Sequence, residues 1–327
     1  MNAKGNSGSE VQGLHDTEFE VQVVSRTRSA EGVELFELAA LPGSTLPAWT
    51  PGAHIDVVLP DGEVRQYSLS GAPSSPTWRI GVLREADGRG GSVWLHDELS
   101  AGDRLTVAGP RNHFEFEPHR GTSYLFVAGG IGITPISAMA EAAAKAGVGY
   151  SIHYAGRSRS TMALLPELAS KHGSRLAIYA GDEGVRLDLD ALFADLPPFT
   201  TTFCCGPARL IEAIEAAAAG RQLVVERFEP KAVGQPVLSE AFEVELAATG
   251  VTVTVGPDRS ILELAEEAGA LVLSSCREGT CGTCETVVLE GQVDHRDSIL
   301  TLDEQAANDV MYVCVSRAVT PRLVLDL

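Results

Sequence analysis

Four of the six cysteines have a spacing that suits the binding of a metal cluster. Cys276, Cys281 and Cys284 lie within nine residues, and Cys314 follows after 29 intervening positions. Three thiolates so close in sequence must sit on one tightly bent loop, and Gly279 gives the backbone the freedom for such a bend. The fourth thiolate would complete the ligand set from another part of the fold.

The spacing C-x4-C-x2-C with a late fourth cysteine is that of plant-type ferredoxins, and it predicts a [2Fe-2S] cluster. A structural zinc site is the alternative, but zinc sites favour paired C-x2-C motifs and this sequence has only one. Cys204 and Cys205 lie outside this set on an apolar segment, where Cys204 is expected to be a small core residue.

Two earlier segments carry groups suited to phosphate. Residues 65–68 read Arg-Gln-Tyr-Ser on a predicted strand, and an arginine guanidinium can bind phosphate through two hydrogen bonds. Residues 89–92 read Arg-Gly-Gly-Ser before a predicted helix, where free backbone amides favour an anion. Taken singly, each segment could equally be an ordinary strand or turn.

A glycine-rich segment, Gly-Gly-Ile-Gly-Ile-Thr-Pro at 129–135, follows an apolar strand. It does not meet the dinucleotide fingerprint G-x-G-x-x-G, because Pro135 stands where the third glycine would be. Thr134 could cap the following helix or contact a nucleotide, and the cap is the simpler interpretation.

Hydropathy patterns show which elements position these groups. Alternating short strands indicate a closed antiparallel β-barrel, and apolar strands that alternate with helices indicate a parallel α/β sheet. The predicted division is a disordered tail at 1–15, the barrel at 16–115, the α/β domain at 116–228, a Pro/Gly linker at 229–239 and a C-terminal α+β module at 240–327.

Charge narrows the choice of partners. The 327 residues include 44 acidic and 25 basic side chains, a formal charge of −19, and residues 240–327 alone carry −11. Such a field repels nucleic acid and anionic membrane surfaces. No apolar run reaches the roughly 20 residues that span a bilayer, and the polar start at 1–13 does not resemble a signal peptide. We therefore expect a cytoplasmic protein whose cysteines are thiols or metal ligands.

Taken together, the motifs resemble those of phthalate dioxygenase reductase-type flavoproteins, the type that also serves vanillate demethylases. The resemblance covers residues 16–327 and implies an FMN barrel, a ferredoxin reductase-like NAD domain and a β-grasp ferredoxin. It places Arg65 near the FMN phosphate, Tyr67 against the flavin ring and Ser68 toward N5. It also assigns the backbone of Val82 and Arg84 to the flavin edge, and Gly90, Gly91 and Ser92 to the phosphate.

The same resemblance implies a nicotinamide nucleotide site. Its residues would be Gly130, Gly132 and Thr134 in the glycine loop, Arg157 and Asp182 near the adenosine ribose, Cys205, Gly206 and Pro207 beside the nicotinamide, and Phe228 near the flavin. Because hydride would pass directly from nicotinamide to flavin N5, no side chain is nominated as a catalytic acid or base.

The expected function is a reductase that passes electrons from NADH through FMN and the [2Fe-2S] cluster to a separate oxygenase, either a Rieske-type aromatic-ring dioxygenase or a demethylase. The acidic ferredoxin domain is the expected docking surface, and the chain is expected to be a monomer. One alternative is a haem-thiolate cytochrome monooxygenase as partner. An alternative of another class is an iron–sulfur redox sensor.

Overall fold

The protein is described here from a computed structural model that covers residues 18–218 and 220–327. The tail predicted at 1–15 lies outside the described residues. The order of the domains is as predicted: an antiparallel barrel, a parallel α/β domain and a C-terminal ferredoxin fold. No helix of the described residues is long and apolar enough to cross a membrane.

The barrel consists of six antiparallel strands in the order β4-β3-β6-β1-β2-β5. A bridge between Leu69 and Ile80 joins the two outer strands and closes it. Val21 and Val23 point into its core while Gln22 between them does not, as the alternating pattern predicts. The elements are β1 (Phe19–Ala30), β2 (Val33–Ala40), β3 (His54–Val58), β4 (Val64–Ser68), β5 (Trp78–Leu83), α1 (Gly91–Asp97) and β6 (Arg104–Arg111).

The α/β domain has five parallel strands in the order β11-β10-β7-β8-β9. The chain winds outward from β7 through β8 to β9 and then returns to β10, so the strand order reverses between β7 and β10. Ligands of such sheets bind at this reversal, beyond the carboxyl ends of the strands. The elements are β7 (Ser123–Gly129), α2 (Ile133–Ala146), β8 (Gly149–Gly156), α3 (Leu165–His172), β9 (Leu176–Ala180), α4 (Leu189–Ala194), β10 (Thr200–Cys205), α5 (Ala208–Ala217) and β11 (Leu223–Glu226).

The C-terminal domain has a mixed sheet in the order β13-β12-β18-β14-β16, with β15 and β17 paired beside it. The parallel pair β12 and β18 forms its centre, and α6 begins with a capping box between Ser260 and Glu263. The elements are β12 (Phe242–Leu246), β13 (Val251–Val255), α6 (Ile261–Glu267), β14 (Glu285–Glu290), β15 (Val293–Asp294), α7 (Leu302–Ala307), β16 (Val310–Tyr312), β17 (Arg317–Ala318) and β18 (Arg322–Leu325).

The sequence patterns did not indicate five of these elements, namely α4, β15, α7, β16 and β17. Each is six residues or shorter, which is too short to show a helical or strand period. The two helices among them, α4 and α7, are instead stabilised at their first turns by capping side chains. Asp188 accepts a hydrogen bond from the Ala191 amide at 3.0 Å, and Thr301 forms a capping box with Glu304.

The barrel and the α/β domain share one apolar core. Phe114 and Phe116, which follow β6, pack edge-on against Phe203 of β10 with ring centroids 5.7 and 5.3 Å apart. Elsewhere between the two domains, the guanidinium of Arg79 in β5 forms two hydrogen bonds with the Glu167 carboxylate of α3, at 2.9 and 3.2 Å. These contacts fix the barrel against the α/β domain.

Candidate functional site

A cleft of about 1180 Å³ opens where the three domains meet. Strand β4 forms one wall, the glycine loop after β7 forms another, and the cysteine loop of the ferredoxin domain closes the third side. The predicted site residues that line it are Arg65, Tyr67, Ser68, Gly91, Ser92, Gly130, Gly132, Thr134, Arg157, Gly206, Pro207, Phe228 and Cys276.

Val82 and Arg84, two predicted flavin contacts, are not themselves part of the lining, although their neighbours Leu83 and Glu85 are. The Val82 side chain is fully buried in the barrel core, and its carbonyl accepts a hydrogen bond from His96 Nε2 at 2.9 Å. The Arg84 side chain turns outward and pairs with Asp97 at 2.9 Å. A role for these two residues at the flavin edge stays a prediction.

Three other predicted residues also lie behind the lining, each close to a residue that forms it. Gly90 precedes Gly91 and has a φ of +84°. The Asp182 amide donates a hydrogen bond to the Arg157 carbonyl at 2.9 Å. Cys205 is fully buried at the end of β10. Any contact of these residues with a nucleotide also stays a prediction.

The cleft carries positive charge although the chain is strongly acidic. Among the described residues that line it are six arginines, Arg65, Arg89, Arg157, Arg186, Arg209 and Arg227, against four glutamates, Glu85, Glu226, Glu229 and Glu278. Concentrated guanidinium groups attract phosphate and bind it through two hydrogen bonds. The charge distribution therefore fits cofactors that carry phosphate groups.

The phosphate end of the barrel wall is shaped by a close approach between β4 and the loop before α1. Arg65 donates from Nη2 to the Arg89 carbonyl at 2.9 Å. A Cβ on Gly91 would lie 2.6 Å from Cγ of Arg65, so only glycine lets the guanidinium lie along this loop. The Ser92 hydroxyl accepts a hydrogen bond from the Glu85 amide at 3.0 Å, which closes the loop into a turn.

One buried polar atom in the cleft lacks a partner among the described residues. His54 Nε2 makes no hydrogen bond, although the residue is only 5% exposed. Ser68 Oγ, in an equally buried residue, lies against the Glu226 carboxylate. Burial, followed by the charge of Arg111, lowers the pKa of His54 to about 3 and keeps its imidazole neutral. Unpaired buried polar groups call for a partner, and the nitrogen and oxygen edge of a flavin ring, lying against Tyr67, would supply one.

Sequence reasoning missed Glu226 as a member of the site. Its carboxylate lines the cleft, and the Cys205 thiol donates to its Oε2 at 3.7 Å. Burial raises the pKa of Glu226 to about 8, against the opposing effect of the Cys205 hydrogen bond. The one sequence signal is an acidic residue at the end of an apolar strand, and its register opposite Cys205 appears only in the sheet.

The loops after β7 and β10 contact each other through backbone. A Cβ on Gly132 would overlap the Cys205 carbonyl, and one on Gly206 would lie 3.0 Å from the Gly129 backbone. Thr134 is not the cap of α2, because Gly132 holds that position; its hydroxyl donates to the Ile131 carbonyl at 2.9 Å. The lining is therefore narrow and consists mainly of main chain, which suits a flat nicotinamide.

The four predicted ligand cysteines come together in two pairs. The Cys281 thiol hydrogen-bonds to Cys276 and thereby lowers the pKa of Cys276 to about 5, and Cys314 lowers the pKa of Cys284 in the same way. All four residues are less than 10% exposed. Two pairs of thiols match a cluster of two irons, each of which takes two cysteines.

Backbone amides already point at these sulfurs. The Glu278 amide donates to Cys276 Sγ at 3.3 Å, and the Thr283 amide donates to Cys281 Sγ at 3.4 Å. Gly279 and Gly282 have φ values of +70° and +78°, which turn the loop around its sulfurs. Within the described residues, no group of three or more His, Cys, Asp or Glu side chains is arranged around a single-ion site.

Comparisons with known proteins agree with this site. A family model described as a 2Fe-2S iron-sulfur cluster binding domain matches residues 244–319. The chain is 42% identical over 304 residues to the phenoxybenzoate dioxygenase subunit beta of Ectopseudomonas oleovorans, covering 91% of this chain and 94% of that protein.

Solved structures show the same likeness. The structure of phthalate dioxygenase reductase is similar with a TM-score of 0.68 and 34% identity, over 95% of this chain and 98% of that one. An intact type IV self-sufficient cytochrome P450 monooxygenase is similar with a TM-score of 0.88 and 44% identity over 95% of this chain. This chain spans only 41% of the length of that P450 protein.

The fold and the cleft define a nucleotide-linked oxidoreductase that uses a flavin and an iron–sulfur cluster. The chain belongs to the phthalate dioxygenase reductase-type family, whose named members include a carnitine monooxygenase reductase subunit and a vanillate O-demethylase oxidoreductase. The predicted family, fold class and [2Fe-2S] cluster are confirmed.

Glu226 gives a testable pH dependence of stability. Its pKa is raised from 4.5 to about 8 on folding, so the stability it contributes is complete below pH 4.5 and is lost as the pH rises through 8. We expect Glu226→Gln to reduce the fall in melting temperature between pH 6 and pH 9 by about 2–4 °C, measured by differential scanning calorimetry.

The matched control is Glu229→Gln, which removes an exposed carboxylate from the same cleft. Its pH profile should follow that of the unaltered protein. A Glu226→Gln profile as steep as that of the control would show that Glu226 is ionised in the folded protein.

Proposed function

We propose that this chain is the reductase component of an oxygenase system and passes electrons from NADH through FMN and the [2Fe-2S] cluster to a separate oxygenase. The observation that carries the proposal is the single cleft in which Ser68 of the flavin wall, Gly132 of the nucleotide loop and Cys276 of the cluster loop all take part. Electron transfer in sequence requires such proximity.

A bound flavin accepts two electrons together as hydride and passes them on singly, which couples a nicotinamide to an iron–sulfur cluster. The protein residues supply the alignment. Gly130, Gly132 and Gly206 line the cleft without side chains, so a flat ring can lie directly against their backbone, and Ser68 and Tyr67 hold the flavin on the opposite wall. No side chain needs to act as a general acid or base.

FMN is proposed over FAD because the barrel wall ends in a compact phosphate site. Arg65 and Arg89 lie together at this end, and Glu278 of the cluster loop pairs with Arg89 at 3.2 Å beside it. A terminal phosphate would bind the Arg65 guanidinium beside Gly91 and Ser92, which also line this end of the cleft, whereas an adenosine beyond it would meet Glu278 of the ferredoxin domain. Acid extraction followed by chromatography should return about one FMN per chain, and recovery of FAD would overturn this proposal.

The partner is proposed to dock on the acidic ferredoxin domain, through a surface beside the cluster. Leu271 and Leu273, which precede Cys276, are 100% and 54% exposed, and residues 240–327 carry a charge of −11. An apolar contact with an acidic surround complements a basic partner surface and would make association sensitive to salt. The proposed state of the reductase itself is a monomer.

A second candidate partner is a cytochrome P450, which keeps the same electron path. The observation that favours it is the 44% identity to the reductase part of a self-sufficient P450 monooxygenase. Titrating the reduced chain with a purified Rieske oxygenase and with a purified P450 would separate the two, because only the cognate acceptor should be reduced at a rate that saturates with its concentration.

We expect Cys281→Ser to leave NADH-to-flavin reduction intact and to abolish cytochrome c reduction, because the altered thiol belongs to the cluster and not to the hydride path. Stopped-flow absorbance under anaerobic conditions and steady-state cytochrome c assays measure the two steps. The matched control is Cys204→Ala, a buried cysteine outside the cluster, which should retain both. Equal loss of both steps in Cys281→Ser would contradict transfer in series.

NADH should be preferred to NADPH because Arg159, two residues after the predicted ribose residue Arg157, is already paired with a carboxylate and is not free to accept an extra phosphate. Arg159 contacts the Glu183 carboxylate through Nε at 2.6 Å and Nη2 at 3.2 Å. We expect Glu183→Gln to free this guanidinium and to raise kcat/KM for NADPH about three- to tenfold, as steady-state kinetics would show.

The control for this prediction is Glu243→Gln, the same charge change on the ferredoxin domain. It should leave the ratio of the two nucleotides unchanged. A kcat/KM for NADPH equal to that for NADH in the unaltered chain would mean that Glu183 does not oppose the phosphate.

A further inference from the structure

His113, three residues after Pro110 of β6, lies against the cluster loop of the ferredoxin domain. A Cβ on Gly282 would overlap the His113 imidazole, whose Nε2, Cε1 and Cδ2 are the three nearest atoms to it. Gly282 lies between the predicted ligands Cys281 and Cys284 and is buried, whereas His113 as a residue is partly open to solvent. The imidazole therefore covers the backbone of the cluster loop.

The same imidazole also lies near the flavin wall. Its ring centroid is 6.1 Å from that of His54, and His54 pairs across the strands with Ser68. His54 lines the cleft and directs no hydrogen bond from Nε2 to the described residues. His113 is thus a neighbour of His54, which belongs to the flavin wall, and it also contacts the cluster loop.

A second contact joins the same two loops. Arg89 Nη2 lies 3.2 Å from Glu278 Oε2, with side chains 50% and 39% exposed. Exposed pairs of this kind contribute little binding energy and are weakened by salt. The ion pair can orient the cluster loop, but the packing of His113 on Gly282 is what limits how closely the loop approaches the barrel.

We propose that His113 is a positioning residue for electron transfer from flavin to cluster. Its imidazole packs on Gly282 and fixes the separation between the cluster loop and the flavin wall. The step that it serves moves one electron, oxidising the reduced flavin and reducing one ferric iron of the cluster to ferrous iron, with no bond made or broken. The inference rests on the proposed electron path.

The first test compares His113→Ala with His113→Phe by anaerobic stopped-flow absorbance on the holoenzyme. Removing the ring should slow flavin-to-cluster transfer about tenfold or more, since displacement by about 1 Å is enough to reduce a rate strongly. The rate of flavin reduction by NADH and the KM for NADH should not change. Because the contact is steric, phenylalanine should restore most of the transfer rate.

The matched control is His119→Ala, which removes an exposed imidazole from the same connecting segment at a distance from the cluster loop. Its transfer rate should equal that of the unaltered protein. Hydrogen–deuterium exchange gives a readout independent of activity: amides 277–283 should exchange faster in His113→Ala and not in His119→Ala.

A second test separates the contact from strain within the loop. Gly282→Ala introduces a Cβ where φ is +78° and where the imidazole lies, so it should slow transfer. If the clash with His113 is the cause, the double variant with His113→Ala should transfer electrons faster than Gly282→Ala alone. The electron paramagnetic resonance spectrum of the dithionite-reduced cluster should remain that of the unaltered protein in each variant.

The outcomes distinguish this inference from the proposed function. If NADH reduces the flavin of the unaltered chain but the cluster never becomes reduced, the proposed electron path is wrong. If the path operates and His113→Ala transfers electrons at the unaltered rate, or the double variant is as slow as Gly282→Ala, the positioning role is overturned. A phenylalanine variant as slow as His113→Ala would likewise rule out a steric role.

Discussion

Three bound groups can exchange electrons in one cleft only if the segments that hold them pack closely, with no bulky side chain between their backbones. In this chain a glycine meets that constraint at each junction. Gly91 lies under Arg65 at the phosphate end, Gly132 lies against the Cys205 carbonyl, and Gly282 lies against His113. A side chain at any of the three would push apart two segments beside the cleft, and the chemistry of the site depends on their close approach.

The distribution of charge follows from the same arrangement. Acidic residues dominate the chain as a whole, yet the arginines gather where the three domains meet. The cleft therefore concentrates groups that attract phosphate, whereas residues 240–327 carry a net charge of −11. Under the proposed docking on the ferredoxin domain, one molecule would present opposite charges to its small-molecule ligands and to a protein partner.

Local signals were sufficient to predict the three kinds of fold and the [2Fe-2S] cluster, because cysteine spacing, strand alternation and glycine-rich turns act over a few residues. Contacts between distant segments left no such signal. Glu226 joins the site only because β10 and β11 pair in parallel opposite Cys205, and His113 meets Gly282 across a domain boundary. For Val82 and Arg84 the motif predicts a backbone contact with the flavin, and their side chains take other roles: Val82 is buried in the barrel and Arg84 pairs with Asp97. That backbone contact stays a prediction.

The segment between the α/β and ferredoxin domains is rich in Pro and Gly, yet three hydrogen bonds attach it to the ferredoxin domain. The Lys231 amide donates to Ser298 Oγ at 2.9 Å, the Val237 amide donates to Asp294 at 3.1 Å, and Arg296 donates to the Gly234 carbonyl at 2.6 Å. A tether raises the effective concentration of one module at another to about the millimolar range. The contacts between the cluster loop and the barrel, of which the exposed pair of Arg89 and Glu278 is only one, then need a combined affinity in only about the millimolar range to keep the cluster domain docked. The same domain cut free of its tether would dissociate at micromolar protein concentration.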